Sequence, residues 1–337
     1  MILARHAEAT FWAGRLLERA EHTTRMLDIA TRDSMHFPAS PVQPEWQRLL
    51  DVMGVRQTFD GLGLMPDGAN VAQFLMLDEA NGGSVSRSIS QLRENIRTVR
   101  DRVPVELWEE ANRLLMTLRE VEGKLPPEPF ELYSTIRRRC HALSGIVSEA
   151  MPRDEAFTFL VLGRMIERAI ICSRTIRFLV LHPGHTLDEG SILRTVSSLQ
   201  AYRRRARQGG DAYTLGAFLL QADDVPRTVL SCLRRADGRI QRLIQTTSSG
   251  LSPAAMVCGR LRSHLEYTNA EQELRNNAWA LLDRVEGELV ALTDAIADYA
   301  FDPAQIPDMH SQFVRPGQAG PANRGASNRS GGSGGGR

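Results

Sequence analysis

A charged motif of seven residues, Gly-Arg-x-x-Glu-Arg-Ala, occurs twice in this chain and restricts the folds open to it. The first copy spans residues 14–20 and the second spans residues 163–169, at an offset of 149. In an α-helix, residues three apart lie on one face, so each arginine and the following glutamate form a charged stripe. Apolar residues such as Leu16 and Met165 flank the stripe. Both copies therefore belong to helices whose charged side chains are partly buried.

The rest of the chain also carries a helical pattern. Apolar residues recur at steps of three and four, and glycine and proline separate the periodic segments. No segment shows the sustained two-residue alternation of a β-strand. We therefore predict an all-α fold. The predicted helices cover about 4–33, a segment from 45, 71–77, 84–102, a segment from 104, 130–150, 153–181, 188–206, 212–222, 226–246, 253–266 and 270–300.

A second series of matches, at an offset of 144, indicates an internal duplication. Two blocks in the same order predict a helical bundle whose halves, about 1–150 and 151–302, share one core about a pseudo-two-fold axis. Residues 303–337 are rich in Gly, Ser and Arg, so we predict a disordered tail after the helical domain of residues 1–302. The matched pairs are Phe74 with Phe218, Leu75 with Leu219, Ser84 with Thr228, Val85 with Val229 and Ile96 with Ile240.

Composition excludes several classes of function. The formal net charge is +1, so the chain lacks the general basic field typical of nucleic-acid-binding proteins. Lys124 is the only lysine, and it lies in a loop-like Gly-Lys-Leu-Pro-Pro run. That context excludes a P-loop and disfavours Schiff-base chemistry. We expect no nucleic-acid partner and no cofactor.

Compartment is indicated by the cysteines and the apolar segments. The four cysteines are scattered without a Cys-x-x-Cys pair, which favours reduced thiols in a helical core. No apolar stretch reaches the length of about 18 residues that a membrane span requires. We expect a cytoplasmic protein with no membrane partner, and the pattern fixes no oligomeric state.

The duplicated motif supplies the candidate site. One interpretation is a buried ion-pair network in which each glutamate pairs with arginines of its own helix and with the other copy. The other is an arginine-rich pocket for a carboxylate, a phosphate or a peptide terminus. The network or pocket would comprise Arg15, Glu18, Arg19, Arg25, Arg164, Glu167, Arg168 and Arg174. Secondary candidates around a helix start are Asp78, Asn81, Arg93 and Asn95.

A di-metal carboxylate site is the third interpretation, and the spacing argues against it. Such sites use Glu-x-x-His motifs, whereas Glu18 and His22 are four residues apart and Ile171 takes the place of the histidine in the second copy. The neighbouring arginines would also repel a cation. We therefore expect no metal.

The opening pattern Leu-Ala-Arg-x-Ala-Glu-x-x-Phe-Trp-x-Gly-Arg-x-x-Glu-Arg-Ala-Glu resembles the bacterial alpha-E domain family, whose function is unknown. Blocks beginning at Phe74, Arg93, Leu162 and Phe218 resemble it too, so the likeness extends over about residues 1–300. Gly82 departs from the proline that commonly follows the family's asparagine. The resemblance implies an all-helical fold. It also implies genes encoded beside a circularly permuted ATP-grasp ligase and a transglutaminase-like cysteine peptidase.

These observations lead to two functional hypotheses. The first is a non-enzymatic helical accessory protein of an ATP-grasp ligase and transglutaminase-like peptidase system, acting in peptide or amide-bond metabolism. The second is an enzyme of that system with Glu18 or Glu167 as acid or base. A purely structural scaffold is the remaining reading of the motif. If arginines cap both glutamates and seal them from solvent, the enzymatic hypothesis fails for them.

Overall fold

The computed structural model describes residues 2–35, 44–121, 123–181, 189–205, 210–247 and 252–301. Every regular element in these ranges is an α-helix, which confirms the all-α prediction. The tail at 303–337 lies outside the described residues. The helices are α1 (Ala4–Ser34), α2 (Pro44–Met53), α3 (Arg56–Asp60), α4 (Gly68–Met76), α5 (Val85–Thr98), α6 (Val105–Arg119), α7 (Phe130–Glu149), α8 (Glu155–Leu181), α9 (Glu189–Thr195), α10 (Leu199–Arg205), α11 (Ala212–Gln221), α12 (Val229–Thr247), α13 (Ser252–Tyr267) and α14 (Ala270–Ala300).

Two of the predicted helices are interrupted in the structure. The prediction of a single helix over 188–206 was wrong, because Ser197 adopts a φ of 56° and separates α9 from α10. A left-handed residue cannot continue a right-handed helix. The helix α14 has its expected ends but bends at Asn277, whose φ of −160° and ψ of 82° are non-helical. The Asn277 side chain accepts a hydrogen bond from the Ala280 amide, as the cap of a new helix does.

The two motif-bearing helices, α1 and α8, lie at the centre of the bundle. In α1 every residue from His6 to Asp28 is buried, so neighbours enclose the helix on all sides. It packs against α8, α5 and α7, whereas α8 packs against α1, α12 and α14. A helix buried all round has no solvated face for its charges. The charged side chains of the motif therefore need partners inside the protein.

The glycine of each motif copy marks the point where α1 and α8 cross. A Cβ atom added to Gly14 would lie 2.0 Å from the Leu160 carbonyl oxygen, and one added to Gly163 would lie 2.0 Å from the Phe11 carbonyl oxygen. No side chain fits there, so the two backbones touch. The arginine and glutamate positions that follow each glycine consequently face the opposite helix.

Two further observations bear on compartment. Cys140, Cys172, Cys232 and Cys258 are all buried and free, as expected of core thiols. In the part of the chain that the structure describes, no helix has both the length and the apolar character needed to span a membrane.

Candidate functional site

Glu167 of α8 is held by the two arginines of the first motif copy. Arg15 Nε donates to its Oε2 and Arg19 Nε donates to its Oε1, both at 2.7 Å. Only 2% of the Glu167 side chain is exposed, and both arginines are also buried. Arg15 in addition stacks on the Trp12 ring, with 5.0 Å from its Cζ to the ring centroid. This half of the network is closed to solvent.

Glu18 of α1 is held by the arginines of the second copy and by a third from another segment. Arg168 Nε lies 2.8 Å from Glu18 Oε2, and Arg164 Nη2 lies 3.7 Å from the same oxygen. Arg227, between α11 and α12, donates from Nη1 to the other carboxylate oxygen. The two motif copies therefore exchange partners across the crossing. The sequence allowed both within-helix and cross-helix pairs, and the contacts given above for each glutamate include arginines of the opposite helix.

Both glutamates are ionised at any pH near neutrality. Burial alone would raise the pKa of Glu18, but the positive charges of Arg227, Arg168 and Arg164 outweigh it and lower the pKa to about 2. Burial is likewise outweighed at Glu167, where Arg19 and Arg15 lower the pKa to about 2. A carboxylate this strongly held neither carries a proton to donate nor accepts one readily.

The Glu18 half of the network borders a cleft. The cleft has a volume of about 340 Å³ and lies where α1, α7 and α8 meet the segment before α12. His141 stands at its outer edge with 56% of its side chain exposed. Ser144 lies deeper and accepts a 3.0 Å hydrogen bond from Arg164 Nη2. The lining residues are Leu17, Glu18, Glu21, His141, Ser144, Arg164, Arg168 and Arg227.

Positive charge exceeds negative charge around this cleft. Besides Glu18, the only carboxylate lining it is Glu21, which pairs with Arg25 and, at 2.8 Å, with Arg227 Nη2. Three guanidinium groups, those of Arg164, Arg168 and Arg227, thus line the cleft with two carboxylates, and Arg25 pairs with Glu21 from outside the lining. Burial, and then the charge of Arg168, lower the pKa of Arg164 to about 10. The charged form of an arginine is disfavoured in this way when other positive charges lie close to it in a poorly solvated site.

The helical fold and the Glu-Arg pairs of the site agree with the description of a known protein family. A family model described as "a predicted alpha-helical domain with a conserved ER motif" matches residues 2–301. The chain belongs to this Alpha-E family. In this chain a Glu-Arg pair occurs at residues 18–19 and at residues 167–168, and these residues meet at the helix crossing.

The curated relatives of this Alpha-E domain are uncharacterised mycobacterial proteins. One from Mycobacterium bovis and two from strains of Mycobacterium tuberculosis are each 25% identical over 289 residues. The matches cover 78% of this chain and 32% of each relative, so the chain spans about a third of the length of those proteins. No solved structure matches the chain.

The other predicted site residues are placed as follows. Arg25 joins the Glu18 half of the network through Glu21, and Arg174 is half-buried near the charges of Glu167 and Glu286. The four secondary candidates do not line the cleft. Asp78 and Asn81 accept backbone hydrogen bonds in the loop before α5, and Arg93 donates to Asn112 on α6. Asn95 is a partly exposed residue of α5.

Four cleft residues of this Alpha-E domain escaped the sequence prediction. Glu21 follows Glu18 by three residues, so its position on the same helix face was a usable signal. Arg227, His141 and Ser144 carried no local signal, since they come from segments remote in sequence. Among the residues that the structure describes, no group of three or more His, Cys, Asp or Glu side chains could hold a metal ion.

Proposed function

We propose that this protein is a helical accessory protein whose cleft between α1, α7 and α8 binds an anionic group of a substrate or partner. The observation that supports it most directly is the charge balance, in which three arginines and two carboxylates line a cavity. Planar guanidinium groups bind carboxylate and phosphate groups through paired hydrogen bonds. The two glutamates position the arginines, and the surplus positive charge is left for the ligand.

The size of the cleft favours a small charged group. A volume of about 340 Å³ is at the lower end of ligand pockets, which commonly measure about 300–1,000 Å³. Ser144 and His141 would add hydrogen bonds at the deep and outer ends of the cleft. A carboxylate side chain, a peptide terminus or a phosphate group fits this chemistry.

The enzymatic alternative has less support. Glu167 is enclosed by its arginine partners, and Glu18 borders the cleft with only 2% of its side chain exposed. Their lowered pKa values suit neither a general acid nor a general base. We assign the Glu167 half of the network to a scaffold role, in which buried ion pairs fix how α1 and α8 cross.

We further propose that the accessory protein works in the cytoplasm with an ATP-grasp ligase and a transglutaminase-like peptidase in peptide or amide-bond metabolism. Such enzymes act on carboxylates and amides, so a protein that holds an acidic group could present it to them. The four buried free thiols are compatible with a reducing compartment.

An internal duplication remains part of this proposal. The helices α1, α4, α5 and α7 pair in order with α8, α11, α12 and α14. Asp67 caps α4 and Asp211 caps α11, each accepting a hydrogen bond from the amide three residues on, at the offset of 144 seen in the sequence. The packing of α1 on α5 and α7 parallels that of α8 on α12 and α14. On this proposal Glu18 of the first half lies beside an open cleft. Glu167 of the second half is enclosed and stabilises the packing of α1 on α8.

Calorimetric titration of the protein with inorganic phosphate and with glutamate tests the cleft. We expect saturable binding of at least one, weakened tenfold or more by His141→Gln and by Arg164→Gln. Arg138→Gln is the matched control, because Arg138 is an exposed arginine on α7 that hydrogen-bonds Thr135. His141 is mostly exposed, so its variant will fold even if the Arg164 variant does not. The absence of binding, or binding that neither variant weakens, would overturn the proposal.

Co-purification tests the partner proposal. We expect a tagged protein to retain the co-expressed ATP-grasp ligase or the transglutaminase-like peptidase through repeated washing. Failure to retain either enzyme, with the helical protein folded and soluble, would contradict the association and leave the anion site to be judged by titration.

A further inference from the structure

A second group of arginines lies on α12, outside the motif network. Arg235, Arg239 and Arg242 follow one another at steps of four and three residues, so they share one face of the helix. Arg153, just before α8, joins them, because its charge acts on Arg239. We call these four residues the α12 arginine row. Arg235, Arg242 and Arg153 are exposed, and Arg239 is partly exposed.

Within the described residues, Arg235 and Arg239 of the row lack the carboxylate partner that most arginines of this protein have. Arg239 is the clearest case: burial lowers its pKa first, followed by the positive charges of Arg242, Arg153 and Arg235. No acidic group counters these effects. Within the described ranges, neither Arg235 nor Arg239 forms an ion pair, whereas the adjacent Arg234 pairs with Asp223 and Glu266. Arg235 and Arg239 therefore place uncompensated positive charge on this face of α12.

A buried aromatic ring holds the row in place. The guanidinium carbons of Arg153 and Arg239 lie over the Phe157 ring, 4.4 Å and 4.8 Å from its centroid. Cation–π contacts of this kind fix a guanidinium without neutralising it. The ring itself is 4% exposed and so cannot stack on a nucleobase. Single-stranded nucleic acids are usually held by such exposed aromatic platforms, which argues against an oligonucleotide ligand here.

The row is electrostatically continuous with the cleft. The charge of Arg235 contributes to lowering the pKa of Arg164, which lines the cleft, and it also acts on Arg239 farther along α12. Arg227, which lines the cleft, lies two residues before α12 begins, so positive charge extends from the Glu18 half of the network along that helix.

We propose that the cleft and the α12 arginine row together bind an acidic polypeptide segment in an extended conformation. This inference rests on the proposed anion-binding function and specifies its ligand class. With a rise of about 1.5 Å per residue, the arginines of the row are spaced by about 4.5–6 Å along α12. Alternate side chains of an extended peptide lie about 6.6 Å apart. One carboxylate occupies the cleft, and the following acidic side chains lie along the row.

Fluorescence anisotropy with a labelled hexaglutamate peptide tests the inference. We expect wild-type protein to bind the peptide more tightly than it binds glutamate, with affinity that falls steeply as salt rises. The double variant Arg235→Gln/Arg239→Gln should weaken peptide binding at least tenfold but weaken the binding of glutamate or phosphate by less than about threefold, because Arg235 acts on Arg164 only through its charge. Arg234→Gln is the matched control, since this neighbouring arginine is already paired. If the double variant misfolds, the exposed Arg235→Gln alone replaces it.

The outcomes separate this inference from the proposed function. If glutamate or phosphate binds in the cleft but the α12 arginine row does not increase the affinity for the peptide, the peptide inference fails and the cleft proposal stands. If neither the small anions nor the peptide bind, both fail. A six-nucleotide thymidine oligomer that binds as tightly as hexaglutamate would also overturn the inference, because binding would then reflect charge alone.

Discussion

At the scale of single residues, the motif is a set of ion pairs that only the folded chain completes. The sequence predicted a partly buried charged network that includes Arg15, Glu18, Arg164 and Glu167. It did not show that each glutamate is bound by the arginines of the other copy. Spacing along a helix reports which side chains share a face, whereas the distance between two helices decides which of them meet.

Removing one carboxylate tests the closed half of this network. Glu167→Gln deprives the buried Arg15 and Arg19 side chains of the charge that both contact at 2.7 Å. Breaking a buried pair leaves an uncompensated charge and typically costs about 3–5 kcal/mol. We expect a loss of that size in the free energy of unfolding, measured by urea denaturation with circular dichroism.

The control for this variant is an exposed pair on α6. Glu109→Gln removes a partner of Arg113 where both side chains are at least half exposed, so the change should stay below about 1 kcal/mol. Equal effects of Glu167→Gln and Glu109→Gln would show that the buried network contributes no more than a surface pair.

At the scale of elements, the contact between α1 and α8 depends on one glycine from each helix. The sequence predicted both helices to within a few residues, because their apolar periodicity and flanking breakers are strong. It did not predict the crossing, since the sequence does not distinguish a glycine at a close helix contact from a glycine that only weakens a helix. The break at Ser197 and the bend at Asn277 escaped prediction for a similar reason, as backbone angles there are set by packing.

Alanine substitutions at two helical glycines test the crossing. Gly163→Ala would place a Cβ atom 2.0 Å from the Phe11 carbonyl oxygen, which is backbone and cannot move aside. The helices must separate, and we expect a destabilisation of about 2 kcal/mol or more, measured as a lower thermal midpoint.

The matched control is Gly145→Ala on α7, where an added Cβ meets nothing within 4 Å. Alanine is a better helix former than glycine, so this variant should gain about 0.5–1 kcal/mol. A Gly163→Ala protein as stable as the wild type would mean that α1 and α8 can pack without direct backbone contact.

At the scale of the whole molecule, the candidate site is assembled from segments far apart in sequence. The motif supplied Glu18, Arg164 and Arg168, but His141, Ser144 and Arg227 reach the cleft only because α7 and the segment before α12 pack on the central pair. The sequence therefore indicated half of the cleft. The α12 arginine row was not predicted either, since its significance lies in the acidic partners that Arg235 and Arg239 lack within the described part of the chain.

The buried charges also set how global stability depends on pH. His22 is 1% exposed, and burial, followed by the charges of Arg227 and Arg25, lowers its pKa from 6.5 to about 4. The unfolded chain then binds a proton below about pH 6.5 that the folded protein does not take up until about pH 4. Stability from this residue is complete above about pH 6.5 and falls as the pH drops to about 4, by at most about 3 kcal/mol.

Urea unfolding at a series of pH values checks this prediction. His22→Gln should flatten the profile between pH 6.5 and 4, while His264→Gln should retain the slope because His22 is still present. The loss of stability due to Glu18 and Glu167 falls in a separate pH range, because their pKa values are lowered. Their contribution is complete above about pH 4.5 and is lost as the pH falls towards about 2. That acidic limb should persist in His22→Gln. Superimposable profiles for the wild type and His22→Gln would contradict a neutral, buried His22 beside the network, because only a histidine that resists protonation in the folded state produces the upper limb.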